Sequence, residues 1–189
     1  RLQKMLRQLG MMSFSDYYDY VLKNPKALSE MVNLISTNHT FFFRENEHFD
    51  FLKDVALPQM REAHLKRNDR DVRIWCAAAS SGEEPYTLMI TLMDFFGTEY
   101  PNWDVGLLAT DISQKALDKA VLGVYPEERV NLVPAKTRQK YLKKVPEGWA
   151  VNDRLKKEIT YRRFNLMNEK LPFKKQFDMI FCRNVMIYF

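Results

Sequence analysis

Two adjacent carboxylates, Glu83 and Glu84, follow the small-residue run Ala77-Ala78-Ala79-Ser80-Ser81-Gly82 and precede Pro85. Upstream, Val72, Ile74 and Trp75 favour a strand. Downstream, Leu88, Met89, Ile90, Leu92, Met93, Phe95 and Phe96 favour a helix. The segment therefore reads as strand, tight turn, helix. Ser81 at the N-cap with Glu84 three residues on has the form of a capping box, and Pro85 suits a first helical turn. Small residues ending in Gly82 let a ligand come close to the backbone.

The chemistry of the turn selects that ligand. A nucleotide phosphate wants bare N–H groups and a Lys or Arg, whereas this loop offers two carboxylates and no basic residue. Carboxylates repel a pyrophosphate and attract a cation. A cofactor with a nucleoside, an amino group and a sulfonium but no phosphate, S-adenosylmethionine, meets that requirement. The same two residues could also simply complement the helix dipole, and the turn by itself leaves both readings open.

Two further groups point to the same sheet edge. Asp104–Asp111 reads as a second strand ending in Asp111, where open α/β sheets accept ribose hydroxyls; capping of the next helix, which Ser113 could also start, is the alternative. Phe177-Asp178-Met179-Ile180-Phe181-Cys182 reads as a strand of the parallel kind covered on both faces. It delivers Arg183, Asn184, Val185 and Tyr188 to the same carboxyl edge.

The elements that must position these groups follow from periodicity. Leu2, Met5, Leu6 and Leu9 fall at helical spacing before Gly10, with Arg1, Lys4 and Arg7 on the opposite face. That basic face is either solvated or a docking face for an acidic partner. Ser13 and Asp16 start a second helix that Asn24-Pro25 ends, and Leu28, Met31, Val32 and Ile35 mark a third. Three successive phenylalanines, Phe41 to Phe43, cannot all be exposed cheaply, which wedges the segment between domains and sets Arg44 against an apolar wall. Glu45 or Glu47 could pair with it. His39 and His48 lack a second ligand at metal spacing, so no metal is expected. A helical stretch from His48 to Lys66 is bent or broken at Pro58.

Residues 124–163 break the alternation and read as an inserted β unit with an antiparallel hairpin. Tyr161 to Phe164 could instead already be the third core strand. The domain organisation expected is a helical domain over 1–36, an interdomain segment with linking helices over 37–71, and an α/β domain over 72–189.

Composition sets bounds. Of 189 residues, 46% are apolar and 13% aromatic, enough for a substantial core, and the net charge of +5 suggests an acidic partner without requiring nucleic acid. No apolar run reaches the roughly 20 residues of a membrane span. Cys76 and Cys182 lie in expected strands without ligand spacing, as buried thiols of a reducing cytoplasm do. The chain reads as truncated at both ends, which would leave its fourth strand an apolar edge prone to aggregation.

Taken together, Asn38-His39-Thr40-Phe41-Phe42-Phe43-Arg44, the turn from Ala77 to Tyr86, Thr110-Asp111-Ile112, Phe164-Asn165-Leu166 and the stretch Phe177 to Phe189 resemble the CheR-type chemoreceptor glutamate methyltransferases. The resemblance implies a Rossmann-like class I methyltransferase sheet with a small N-terminal helical domain and an inserted β subdomain. It implies S-adenosylmethionine contacts at Asn38, Thr40, Arg44, Glu84, Asp111, Asn165, Leu166, Asn184 and Val185, with Gly82 in the turn beside them. The implied reaction methylates glutamates on the cytoplasmic helical bundle of chemotaxis receptors, leaving S-adenosylhomocysteine. Arg1, Lys4 and Arg7 would match the family's receptor-docking helix, on a cytoplasmic monomer. Some members grip a receptor pentapeptide with a basic, glycine-rich turn; here Lys143-Lys144-Val145-Pro146-Glu147-Gly148 stands instead.

An ionised glutamate and an activated methyl need no strong base. Arg44 is expected to orient cofactor or substrate carboxylate and Tyr188 to offer its hydroxyl to the glutamate. Two rival readings are a nucleic-acid methyltransferase and a non-catalytic cofactor-binding module that docks to receptors. Against the first, Arg183-Asn184-Val185-Met186 stands where amine-methylating enzymes of that class carry an Asn/Asp-Pro-Pro-aromatic motif.

Overall fold

Ser13 begins the second of three short helices by accepting the Asp16 amide on Oγ while donating its own hydroxyl to Asp16 Oδ2 at 2.7 Å. These helices are α1 (Leu2–Gln8), α2 (Phe14–Lys23) and α3 (Pro25–Ile35). Gly10, at φ 66°, makes the left-handed turn that ends α1. Asn24 Oδ1 accepts from the amides of Lys26 and Ala27, so it caps α3 while Pro25 occupies the first turn. Leu6, Tyr17, Val21 and Ala27 form the core of this unit. The inward position of α3 is Ala27, with Leu28 and Ile35 43% and 51% exposed, because a small side chain there lets α2 lie close. The computed structural model describes residues 1–36 and 39–188, with Tyr188 by its backbone alone.

Helix α4 (Glu47–Phe51) runs through one π-helical turn (Leu52–Ala56) into α5 (Leu57–Lys66). Pro58 has no N–H to donate four residues back, and the wider hydrogen-bond spacing before it absorbs the misfit. The expected bend at Pro58 is therefore a bulge just upstream of it.

The α/β part follows in the order β1 (Asp71–Cys76), α6 (Glu83–Phe96), a 3₁₀ stretch (Gly97–Asn102), β2 (Asp104–Asp111), α7 (Gln114–Leu122), β3 (Val124–Tyr125), α8 (Glu127–Val130), α9 (Ala135–Tyr141), β4 (Leu142–Val145), β5 (Gly148–Val151), α10 (Asp153–Lys157), β6 (Ile159–Arg163) and β7 (Met179–Phe181). The central sheet is parallel, ordered β6-β2-β1-β7. Strand order reverses between β1 and β7, which places the ligand crevice of an open α/β sheet at their carboxyl ends. A smaller antiparallel sheet, β3-β5-β4, stands apart.

Two sequence expectations change here. Ile159–Arg163, inside the numbers assigned to the inserted unit, pairs parallel with β2, so the alternative of a third core strand holds. The strand at Met179–Phe181 is not covered on both faces: Ile180 is 56% exposed, and among the described residues the strand pairs with β1 alone. The segment before it carries Phe173 and Phe177 to Trp75, with ring centroids 4.8 and 5.7 Å away, instead of forming a longer strand.

Helix α6 is buried along most of its length, including Tyr86, Leu88, Met89, Ile90 and Leu92. Its buried hydroxyls stay satisfied inside the helix: Thr87 donates to the Glu83 carbonyl at 2.7 Å and Thr91 to that of Thr87 at 2.9 Å. A rigid, dry helix thus fixes the turn at its own start. Among the described residues no helix is long and apolar enough to cross a membrane.

Candidate functional site

The turn after β1 stays bonded to both neighbouring strands before it leaves the sheet. The Ala77 amide donates to the Phe181 carbonyl and the Ala79 amide to that of Thr110, each at 2.8 Å. Ser80 then adopts φ 48° and Gly82 φ 99°. A Cβ on Gly82 would lie 2.7 Å from both Ala120 Cβ and the Tyr125 hydroxyl. Gly82 therefore faces α7 and Tyr125, not a ligand; its hydrogen is what lets these elements close up.

Gly82, not Ser81, is the cap position of α6. The capping box expected of Ser81 and Glu84 does not form, since Ser81 Oγ donates to Glu83 Oε2 at 2.7 Å and Glu84 reaches in another direction. The two carboxylates part company. Glu83 is 1% exposed and pairs with Arg129 at 3.2 Å; burial pushes its pKa up, opposed by Ser81 and Arg129. Glu84 turns to the crevice.

That crevice is a cleft of about 350 Å³ lined by Ser36, His39, Thr40, Arg44, Ala78, Ser80, Glu84, Asp111, Ile112, Arg183, Asn184, Val185 and Ile187. Six of the residues singled out from the sequence, Thr40, Arg44, Glu84, Asp111, Asn184 and Val185, meet there. Asp111 spans the crevice between two turns, its Oδ2 accepting from the Ser80 amide at 2.7 Å and its Oδ1 from that of Ser113 at 2.8 Å. Burial raises its pKa, and those amides hold it back. Each oxygen keeps a second lone pair for a ligand. Ser113 itself caps α7 through the Ala116 amide, so Asp111 need not.

Arg183 is the residue whose importance the sequence reading underrated. Its Nη1 donates to Glu84 Oε2 at 2.9 Å, and its Nη2 to the Arg44 carbonyl at 2.6 Å and Glu45 Oε2 at 2.9 Å. Its Nε is buried without a hydrogen-bond partner among the described residues. Burial raises the Glu84 pKa while Arg183 pulls it down, and hydrogen bonds from Arg183 and Asn184 lower that of Glu45. The signal was in the sequence, a cation directly behind the strand that ends at the crevice. Arg44 donates to the His39 carbonyl at 2.6 Å and lies 3.6 Å from Glu45, the partner anticipated for it.

The cleft is thus of mixed sign, its two carboxylates beside the expected Arg44 and a second arginine: Glu84 and Asp111 line it together with Arg44 and Arg183. Four non-glycine residues with positive φ, Phe43, Glu45, Ser80 and Asn184, lie in its walls or directly behind them. Each costs on the order of 1 kcal/mol, a strain that clusters where a ligand must be met.

Other expected residues sit elsewhere. Asn165 and Leu166 follow Phe164, whose amide donates to the Asp111 carbonyl at 2.9 Å, but they do not line the cleft; Asn165 Oδ1 accepts from the Met167 amide. Asn38 lies outside the described residues. The backbone of Tyr188 ends a 3₁₀ turn, Met186–Tyr188. Arg1 is committed to α3, donating to the carbonyls of Leu34 and Ser36 at 3.1 and 3.0 Å, while Lys4 and Arg7 are exposed. Among the described residues no cluster of His, Cys, Asp and Glu could hold a metal ion.

A parallel sheet with its cleft at the strand-order reversal, a carboxylate ending the second strand and mixed charge without a phosphate cradle defines the class: Rossmann-like cofactor domains of the methyltransferase kind. Residues 38–189 match the family described as CheR methyltransferase, SAM binding domain, and residues 1–36 its all-alpha domain. The chain belongs to the CheR methyltransferase family, whose cofactor is S-adenosylmethionine. It is 44% identical to a chemotaxis protein methyltransferase of Borreliella burgdorferi, 40% to a probable one of Rhizobium etli and 36% to one of Escherichia coli. All of this chain aligns in each case, against 68%, 71% and 64% of those proteins.

The residues fit the cofactor. The orphaned Arg183 Nε and the Arg44 guanidinium offer donors to an amino-acid carboxylate, Glu84 offers an acceptor to an ammonium, and Asp111 has lone pairs for ribose hydroxyls.

Proposed function

We propose that the protein methylates glutamate side chains on the cytoplasmic helical bundle of chemotaxis receptors, in the cytoplasm. The observation that carries this reading is the mixed-sign cleft at the sheet's reversal, in a chain aligned end to end with chemotaxis methyltransferases. When bound, S-adenosylmethionine supplies a methyl group on a sulfonium that leaves as neutral thioether, S-adenosylhomocysteine. Glu84 and Asp111 would hold the cofactor while Arg44 orients the acceptor oxygen that takes the methyl, the S–CH₃ bonding pair staying on sulfur. No proton moves, so no base is needed. Rate then comes from alignment.

Within this reading Glu84 and Asp111 hold the cofactor, with Asn184 and Val185 completing the wall; Asn38 is a further contact by family likeness. Arg44 orients a carboxylate without neutralising the nucleophile, and Tyr188 serves the incoming glutamate. Lys4 and Arg7 form the docking face of α1. The 1–36 helical unit presents that face, and the remainder holds the cofactor. The test is radiolabelled methyl transfer to purified receptor signalling domains with individual glutamates replaced by alanine. Label that appears in the receptor and vanishes at particular Glu→Ala sites supports the reading; undiminished label with all candidate glutamates replaced, or label in nucleic acid instead, ends it.

A further inference from the structure

Strand β3 and helix α8 belong to the inserted β unit, yet two of their side chains end at the cofactor turn. The Tyr125 hydroxyl donates to the Ser81 carbonyl at 2.7 Å. Its ring is 3% exposed and meets Phe42 and Tyr86 edge to face, at centroid distances of 5.0 and 6.2 Å. Arg129 Nη1 donates to Glu83 Oε1 at 3.2 Å and also to the Thr40 carbonyl, while the Arg129 carbonyl accepts from the Phe42 amide. One short segment therefore touches the turn below the cleft and the irregular segment that carries Thr40.

We propose that Tyr125 is a positioning residue for the cofactor turn, with Arg129 bracing the opposite wall, so that the inserted β unit is a structural part of the S-adenosylmethionine site. The peptide between Ser81 and Gly82 lies between the left-handed residues Ser80 and Gly82, one position removed from the first; its N–H donates to the Ala79 carbonyl at 3.0 Å, and its carbonyl, which gains no helical bond, is held by the Tyr125 hydroxyl, so the two bonds together fix its plane. The Ser80 amide that grips Asp111 lies one residue away. Tilting that peptide moves both the Ser80 amide and the carboxylate it holds. Burial keeps the Tyr125 hydroxyl protonated by pushing its pKa well up, so it remains a donor across the physiological range. Tyr125 is itself held by β5, opposite Trp149, and a Cβ at Gly148 would fall 2.2 Å from the Tyr125 carbonyl.

This inference rests on the cleft being the cofactor site. Tyr125→Phe keeps the ring and removes the hydroxyl alone. Calorimetry with S-adenosylhomocysteine is expected to show binding weakened about threefold to tenfold, the range of one lost hydrogen bond. The KM for S-adenosylmethionine should rise alike while that for the glutamate-bearing acceptor stays put. Amide exchange should accelerate at Ser81 to Glu84 and not along β2. Binding and KM equal to the parent's, or exchange accelerated evenly across the sheet, overturns the proposal. Asp111→Ala, measured beside it, separates the two ideas. If Asp111→Ala binds as the parent does and Tyr125→Phe does not, the ribose assignment falls and the brace stands; the reverse result keeps the cleft and removes the brace.

Discussion

The two ends of the central sheet use the same residue types to opposite effect. At the amino end, His64 is 2% exposed between two carboxylates, Nδ1 3.2 Å from Asp69 and Nε2 2.9 Å from Asp178, and Asp178 also accepts the Arg73 amide at 2.7 Å. Arg73 lies 2.6 Å from both Asp71 and Asp104. Charges there are paired with one another, Asp71 Oδ1 with Arg73 by charge although it accepts no hydrogen bond among the described residues, and the cluster ties α5 to β1 and β7. At the carboxyl end, Arg183, Glu84 and Asp111 are only part-answered, one guanidinium nitrogen has no partner among the described residues, and the surrounding backbone is strained. Closed pairing is the mark of a structural cluster. Open pairing in a strained cleft is the mark of a site awaiting a ligand.

Substitutions at the two ends should therefore separate function from stability. Arg44→Ala is expected to lower methyl transfer by roughly a hundredfold or more, from lost alignment, with the melting temperature little changed. Full turnover in that variant would erase the distinction at its active end. His64→Ala should do the converse, costing about 3 kcal/mol in denaturant unfolding because two carboxylates lose a buried partner, while S-adenosylhomocysteine affinity in the folded protein is kept. An unchanged unfolding midpoint would show that the amino-end cluster holds nothing.

Asp111→Ala comes next, weakening S-adenosylhomocysteine binding roughly tenfold or more, read by calorimetry. The mildest effect is one of pH. Glu84 and Asp111 have raised pKa values in the free protein, so their protonated forms favour the fold below the usual carboxylate range and that contribution is lost as pH rises through the raised values. A bound ammonium prefers Glu84 ionised, and ribose hydroxyls donate best to an ionised Asp111. The rise in melting temperature given by S-adenosylhomocysteine should accordingly shrink as pH falls from 7 toward those raised values, and shrink less in Glu84→Gln. An increment indifferent to pH in the parent would mean these carboxylates do not meet the ligand's charge.

Much of this was legible in the residues because local rules and tertiary contacts agree. Ser13, Asn24 and Ser113 cap the helices their types suggest, and Asp104–Asp111 is a strand with its carboxylate at the crevice. Legibility failed where a distant partner decides. Ser81 has the composition of a cap, but Tyr125 takes its carbonyl and Glu83 its hydroxyl, so Gly82 assumes the cap position. Glu83 and Glu84 are neighbours in sequence, yet helical rotation sends one to Arg129 and the other to Arg183, 46 and 99 residues away. Arg183 itself could be placed at the edge by strand length, but its three partners come from two distant segments, Arg44-Glu45 and the start of α6. No local pattern encodes that.

The indole of Trp75 donates to Thr110 Oγ1 at 2.9 Å, and that hydroxyl donates onward to the Ala77 carbonyl at 3.0 Å, where the turn begins. Of the three tryptophans, this one is wired to the floor of the crevice through two hydrogen bonds. Its ultraviolet emission is therefore expected to respond to turn geometry, which fluorescence titration with S-adenosylhomocysteine, the other two tryptophans replaced by phenylalanine, would check without any dye attached.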